Sequence, residues 1–237
     1  MSMKADSFSL SWISDPQVFA VNRLDAVSDH DVYASAQEAE QGVSSLKRSL
    51  RGAWRMRYAE CPTQAPAEYW REGFDDHDFD WVQVPGHLQM QGYGTIQYVN
   101  TQYPWDGNED LKPGEVSVKH NATASYVKRF SLTEAEAASR VVLTLEGVES
   151  SAAVWLNGQF IGYGEDGFTP SRYDVSQAAR PGENRLCVQC FQRTSGSWLG
   201  DQDFWRFSGI FRDVTLTFEP RAHVGDIFVH TPLSDDF

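Results

Sequence analysis

Cysteine is scarce: three residues in 237, at positions 61, 187 and 190, an odd number with no repeating spacing. That excludes the disulfide framework of a small secreted domain. Cys187 and Cys190 do stand as C-x-x-C. The run Asn184-Arg185-Leu186-Cys187-Val188-Gln189-Cys190-Phe191 reads as a strand, however, and residues three apart on a strand point to opposite faces. A redox pair or shared metal is therefore not expected, and free thiols in a reducing cytoplasm are. No apolar run reaches the ~18 residues that span a bilayer. The opening Met1-Ser2-Met3-Lys4 lacks the apolar stretch of a secretory signal, which makes Asn121-Ala122-Thr123 an accidental sequon match. Basic residues are also few: 20 Lys and Arg against 33 Asp and Glu give a net charge of −13. This argues against nucleic acid or an anionic membrane as partner. The densest basic cluster, Lys47, Arg48 and Arg51, reads as a solvated helix face. Signatures of a self-contained enzyme are missing too. There is no Gly-x-Ser-x-Gly elbow, no phosphate-binding glycine loop and no zinc-like His or Cys spacing. Gly162-Tyr163-Gly164 has two glycines of a dinucleotide motif, but it lacks the third and lies between strands.

What is present is aromatic and β-like. Eight Trp, nine Tyr and fourteen Phe make up 13% of the chain, enough for a sandwich core and also suited to packing against pyranose faces. Residues 1–33 show no sustained period and read as an extended arm with turns. Its apolar residues Trp12, Ile13, Val18 and Phe19 suit an arm that packs on something, including a subunit contact. Residues 33–50 are rich in Ala, Glu and Gln and predict a short helix or two, the second capped by Ser44 or Ser45. From Trp54 onward short strands recur at residues 54–58, 125–132, 141–145, 153–156, 160–163, 186–191 and 214–218. Asn157-Gly158 supplies the strongest hairpin signal. Crossover helices have no room, so the pattern indicates an antiparallel all-β sandwich or jelly roll. Two aromatic-rich loops, residues 85–115 and 195–209, interrupt it and are expected to be functional. Residues 223–230 read as a fresh strand beyond a finished domain. The chain thus divides into an arm with a helical segment (1–45), a β-domain (46–220) and the first strand of a following domain (221–237).

Glycoside hydrolysis requires two carboxyl groups roughly 5 Å or 6.5–9.5 Å apart. Most carboxylates here sit in polar turns that read as solvated, as in Asp75-Asp76-His77-Asp78. The exception is the segment 200–206, where Asp201 and Asp203 lie among Trp198, Phe204, Trp205 and Phe207. An acid held against aromatics needs a partner. Arg206 or Arg212 is one candidate, and a polyol or a cation is the other. His87, without a visible partner, reads as structural or exposed. Trp205 is expected to pack and Arg206 to form an ion pair inside the domain.

The stretch Asp201-Gln202-Asp203-Phe204-Trp205-Arg206-Phe207-Ser208-Gly209-Ile210-Phe211-Arg212-Asp213-Val214 closely resembles the bacterial family-2 β-galactosidases. So do Val84-Pro85-Gly86-His87-Leu88-Gln89-Met90-Gln91-Gly92-Tyr93, in which that family carries Trp where this chain has Leu88, and Tyr98-Val99-Asn100-Thr101-Gln102-Tyr103-Pro104. Trp155-Leu156-Asn157-Gly158, Gly162-Tyr163-Gly164-Glu165-Asp166 and Gly182-Glu183-Asn184-Arg185-Leu186 follow in register. The resemblance runs from about residue 46 to 220. It implies a jelly-roll, galactose-binding-domain-like fold beside an immunoglobulin-like domain and a TIM barrel. The barrel holds both catalytic Glu residues, so no catalytic residue is expected in this chain. By resemblance, Asn100 should bond sugar hydroxyls, Tyr98 should line the pocket, and Asp203 should contact the galactosyl group and help hold Na⁺. Asp201 is the less favoured of the two acids. Mg²⁺ would belong to the barrel. The implied activity is retaining hydrolysis of terminal β-D-galactosides by a cytoplasmic homo-oligomer, with this chain inactive alone. The alternatives are a free-standing carbohydrate-binding module, or the first domain of a β-glucuronidase or β-mannosidase.

Overall fold

The structure is a computed structural model that describes residues 2–100, 102–200, 203–220 and 222–234. The strands, in chain order, are β1 (Ala20–Val21), β2 (Lys47–Ser49), β3 (Gly52–Ala59), β4 (Asp80–Val84), β5 (Gln97–Val99), β6 (Thr123–Leu132), β7 (Arg140–Leu145) and β8 (Val148–Glu149). They continue with β9 (Ser151–Leu156), β10 (Gln159–Gly164), β11 (Ser171–Asp174), β12 (Gly182–Phe191), β13 (Phe204–Arg206), β14 (Gly209–Ile210) and β15 (Val214–Glu219). Two antiparallel sheets form the β-sandwich, one ordered β1-β10-β9-β12-β6-β3-β4 and the other β11-β7-β15-β2. The strands expected between residues 54 and 218 are all there, most of them longer at their ends than alternation alone indicates.

The larger sheet is covered on both faces. Towards the second sheet it buries Trp54, Met56, Tyr126, Val154, Leu186 and Val188 against Leu143, Leu145, Val214 and Leu216. Its outer face buries Val127, Trp155, Tyr163, Cys187 and Phe191 under the arm and residues 69–79. Double coverage explains why residues 184–191 of β12 are all buried, the polar Asn184, Arg185 and Gln189 included. Cys187 and Cys190 fall in opposite cores, as their spacing on a strand requires.

The β9–β10 turn follows from its residues. Asn157 and Gly158 both have positive φ, at 50° and 79°, the signature of a two-residue type I′ turn. Asn157 also works beyond the turn. Its side-chain amide donates to Ala178 O and Asn184 Oδ1, and its carbonyl accepts from the Arg185 amide, all at 2.8 Å. Two motifs far apart in sequence are thereby locked together. At Gly162 a Cβ would stand 2.5 Å from the Tyr173 ring and 2.6 Å from Val21 O, so only glycine lets β1 lie beside β10.

Several expectations need correction. The helix of the 33–50 region is α1 (Ala36–Gln41), capped by Ser35 and closed by Gly42 at φ 65°. The second helix does not form. Lys47–Ser49 is instead an edge strand against β15, because the ladder to Thr215–Thr217 outweighs local helix preference. The basic cluster is therefore not a helix face. Lys47 pairs with Asp31 at 3.1 Å, Arg48 with Glu136, and Arg51 with Asp213 at 2.8 Å. Asp76 is not solvated but buried, held by two bonds from Arg129 at 2.6 and 2.9 Å. The arm packs on its own domain. Ile13 is buried, Trp12 meets Phe160 and Tyr163, and of the four apolar residues singled out only Phe19 is largely exposed. Residues 222–234 form no strand here; Asp226 among them instead accepts two bonds from Ser28 of the arm, at 2.8 and 2.9 Å.

Candidate functional site

The two aromatic loops meet. Strand β5 from the first pairs with β13 from the second in a short antiparallel ribbon: Phe204 opposite Val99, Trp205 opposite Tyr98, Arg206 opposite Gln97. Alternation sorts its side chains. Tyr98 and Trp205 share the outer face, exposed at 48% and 55%, with ring centroids 5.1 Å apart. Arg206 is turned inward and buried. Asp203, at φ 55°, immediately precedes β13 and accepts a hydrogen bond from the Tyr98 hydroxyl. That bond keeps the Tyr98 phenol protonated above its usual range, with the nearby negative charge adding to it. Asn100 follows β5 and is exposed on the same loop. Tyr98 thus lies in the ribbon, with Asn100 and Asp203 next to the Val99–Phe204 pair that ends it, while Asp201 lies outside the described residues.

The neighbouring motif holds this ribbon from behind. The Leu88 amide donates to Ser208 O at 2.9 Å, and the Gly86 amide to Ile210 O at 2.8 Å. Gln89 closes the contact from both sides, donating to Ser208 Oγ at 2.9 Å and accepting from the Ser208 amide at 3.0 Å. The first loop is further clamped by aromatics. Trp105 donates to His120 O, Trp198 donates to Glu115 O, and Tyr103 packs on Trp198 at 4.7 Å.

His87 is sandwiched between Phe207 and Phe211, at 4.6 and 5.2 Å, and burial lowers its pKa. A neutral ring in an aromatic stack bears out the structural reading. Arg206 stands 3.9 Å from Glu149, and Arg212 donates to Phe168 O at 2.6 Å. The expected ion pair of Arg206 is therefore present, while the acid that Asp203 presents is bonded to Tyr98. Trp205 does not pack into the domain as expected. The two-stranded ribbon has only one covered face, and Trp205 is on the other.

Sequence reasoning missed two acids nearby, the buried Glu149 and the half-buried Glu165. Burial pushes Glu149 up to about 7 against the pull of Arg206 and Arg193. Burial likewise raises Glu165 to about 7, with hydrogen bonds from Tyr163 and Thr194 opposing the shift. Neither has a local signal, because its burial is created by strands far away in the chain. As for cations, no group of three or more His, Cys, Asp and Glu gathers among the described residues. A single carboxylate beside an amide suits a share in a monovalent cation's shell. It does not make a site for a divalent ion.

The sequence pattern of the glycosyl hydrolases family 2 sugar-binding domain matches residues 47–220. This chain belongs to that family. The family-2 domain here is 49% identical over 232 residues to a β-galactosidase of Halalkalibacterium halodurans, covering 98% of this chain and 23% of that protein. It is 44% identical over 230 residues to a β-galactosidase of Clostridium acetobutylicum, covering 97% of the chain and 26% of the relative. The chain thus spans about a quarter of the length of these relatives. Among solved structures, a β-glucuronidase from an uncultured Clostridium superposes with a TM-score of 0.57 over 87% of this chain and 34% of its own. At 19% identity that likeness concerns the fold alone. Within the family-2 domain, much of the motif set serves the fold: Gln89, Asn157 and Asn184 are buried and bonded to other motifs, and Leu88 fills its core position.

Proposed function

We propose that this domain forms one wall of the sugar pocket of a β-galactosidase that hydrolyses terminal β-D-galactosides with retention. The observation that carries the reading is that exposed Tyr98 of the ribbon bonds Asp203, with Asn100 and Asp203 flanking the same end of the ribbon, in a chain whose relatives are named β-galactosidases. An amide and a carboxylate offer several polyol bonds in nearly one plane, and the flanking aromatic faces suit the apolar side of a pyranose. Asp203 also gives a Na⁺ ion an anionic oxygen, and the bound ion would supply an electrostatic anchor for a sugar hydroxyl. The catalytic Glu pair and a Mg²⁺ site belong, in this reading, to a barrel outside this chain. An immunoglobulin-like domain beginning near residue 221, assembly as a homo-oligomer, a cytoplasmic setting and the jelly-roll strand order complete it.

The reading is tested by a chimera in which this chain replaces the matching segment of the Halalkalibacterium halodurans enzyme. The chimera should hydrolyse a chromogenic β-galactoside. Asp203→Ala and Asn100→Ala should each lower kcat/KM by about ten- to a hundredfold, the scale of losing charged or neutral sugar bonds. The 237-residue chain alone should show no turnover. Unchanged kcat/KM in both variants would overturn the contact roles. Micromolar galactose binding by the isolated chain in titration calorimetry would instead favour a free-standing carbohydrate-binding module.

A further inference from the structure

Beneath the exposed face of the ribbon lies a set of buried charges that the sugar-contact reading does not use. Glu149 sits on β8, Arg206 on β13, and Arg193 just beyond β12, and all three are buried. Arg206 Nη1 stands 3.9 Å from Glu149 Oε1. Arg193 Nη2 donates to Gln97 Oε1 at 2.5 Å, and Gln97 is the residue opposite Arg206 across the ribbon. Each ribbon strand is therefore gripped from below by a group rooted elsewhere.

Those roots are themselves tied down. Glu149 pairs with Gly209 in the β8·β14 ladder. The main chain of Arg193 is locked by Asn121, which donates to its carbonyl at 3.0 Å and accepts from its amide at 2.9 Å. The held part is far less self-sufficient, because a two-stranded ribbon of three pairs is marginal by itself. A buried ion pair rarely stabilises more than apolar side chains of the same volume would. What it adds is direction, since charges and forked donors define a position where apolar contact tolerates sliding.

We propose that Glu149, Arg193 and Arg206 are positioning residues that fix the height and register of the β5·β13 ribbon, and so set where Tyr98 and Asp203 stand. The consequence for sugar contact rests on the galactoside reading above, whereas the positioning does not.

Hydrogen exchange on the 237-residue chain at pH 8 tests it, comparing amides of residues 97–99 and 204–206 with the β6·β12 ladder as internal reference. Glu149→Gln should speed ribbon exchange about tenfold and leave β6·β12 unchanged, the mark of local rather than global opening. Glu149→Asp keeps the carboxylate and should return ribbon exchange to within about threefold of the parent. Arg193→Lys, which loses the Nη2 donor to Gln97, should show the same selective acceleration and serves if Glu149→Gln does not fold. Unchanged ribbon exchange, equal acceleration of both ladders, or an Asp variant no better than the Gln variant would each overturn the proposal. Because exchange needs no sugar, its failure is separable from that of the contact reading, which the Asp203→Ala chimera decides.

Discussion

At the residue scale, the site turns on which polar groups are covered and which are presented. Tyr98 and Asp203 are exposed and bonded to each other, so the tyrosine orients the acid without removing it from solvent. Tyr98→Phe in the chimera should raise KM for the galactoside about three- to tenfold, with kcat changed less, as expected when an orienting bond to a sugar ligand is lost. Steady-state kinetics would show the split, and an unchanged KM would remove Tyr98 from that role. Glu149 and Glu165 behave in the opposite way. Each is held at about 7 by burial, against an ordinary value of 4.5. Below pH 4.5 both are protonated whether folded or unfolded, so they contribute no pH dependence. Between 4.5 and about 7 the unfolded chain releases these protons while the folded chain keeps them, so stability falls as pH rises through that window. Arg193 and Arg206, lowered by burial only to about 10, stay charged throughout it. Glu165→Gln should remove about half of the fall that the two acids share, read from urea midpoints at pH 5 and pH 8.

At the element scale, the motifs divide by task. The Asn157-Gly158 turn was legible because positive φ at two successive positions demands such residues. Gly158→Ala meets only ordinary contact, with Glu72 atoms at 3.6 Å, so its cost is conformational, about 1 kcal/mol or about 2–4 °C in Tm. Asn157→Ala also strands three buried hydrogen bonds and should cost about 3 kcal/mol. Thermal melts of the two variants should therefore differ severalfold, and equal shifts would mean that Asn157 matters only as a turn residue. Strand β2 shows the reverse case. Ser44, Ser45 and the basic run look like a helix start, yet a long-range ladder to β15 decides the conformation. No local pattern contains that ladder. The same holds for the β5·β13 ribbon, whose halves are about a hundred residues apart and each read alone as loop.

At the scale of the whole molecule, the arm completes the sandwich. Phe8 packs against Trp12, Trp155, Tyr163 and Phe191 at 5.5–5.8 Å, closing the outer core of the larger sheet. Phe8→Ala should cost about 2–3 kcal/mol and lower the urea midpoint, whereas an unchanged midpoint would mean that the arm is dispensable for folding. The sequence by itself determined the sandwich strands that alternate between residues 54 and 218, the tight turn, the opposed faces of Cys187 and Cys190, and the motifs that mark the family. These depend on φ/ψ preference and a period of two, which are written locally. Tertiary structure alone decided that two aromatic loops pair as a ribbon, that Trp205 stays exposed, that Asp76 and Glu149 are buried acids and that Glu165 is a half-buried one. Burial and pairing come from segments distant in the chain, so neighbouring residues carry no record of them.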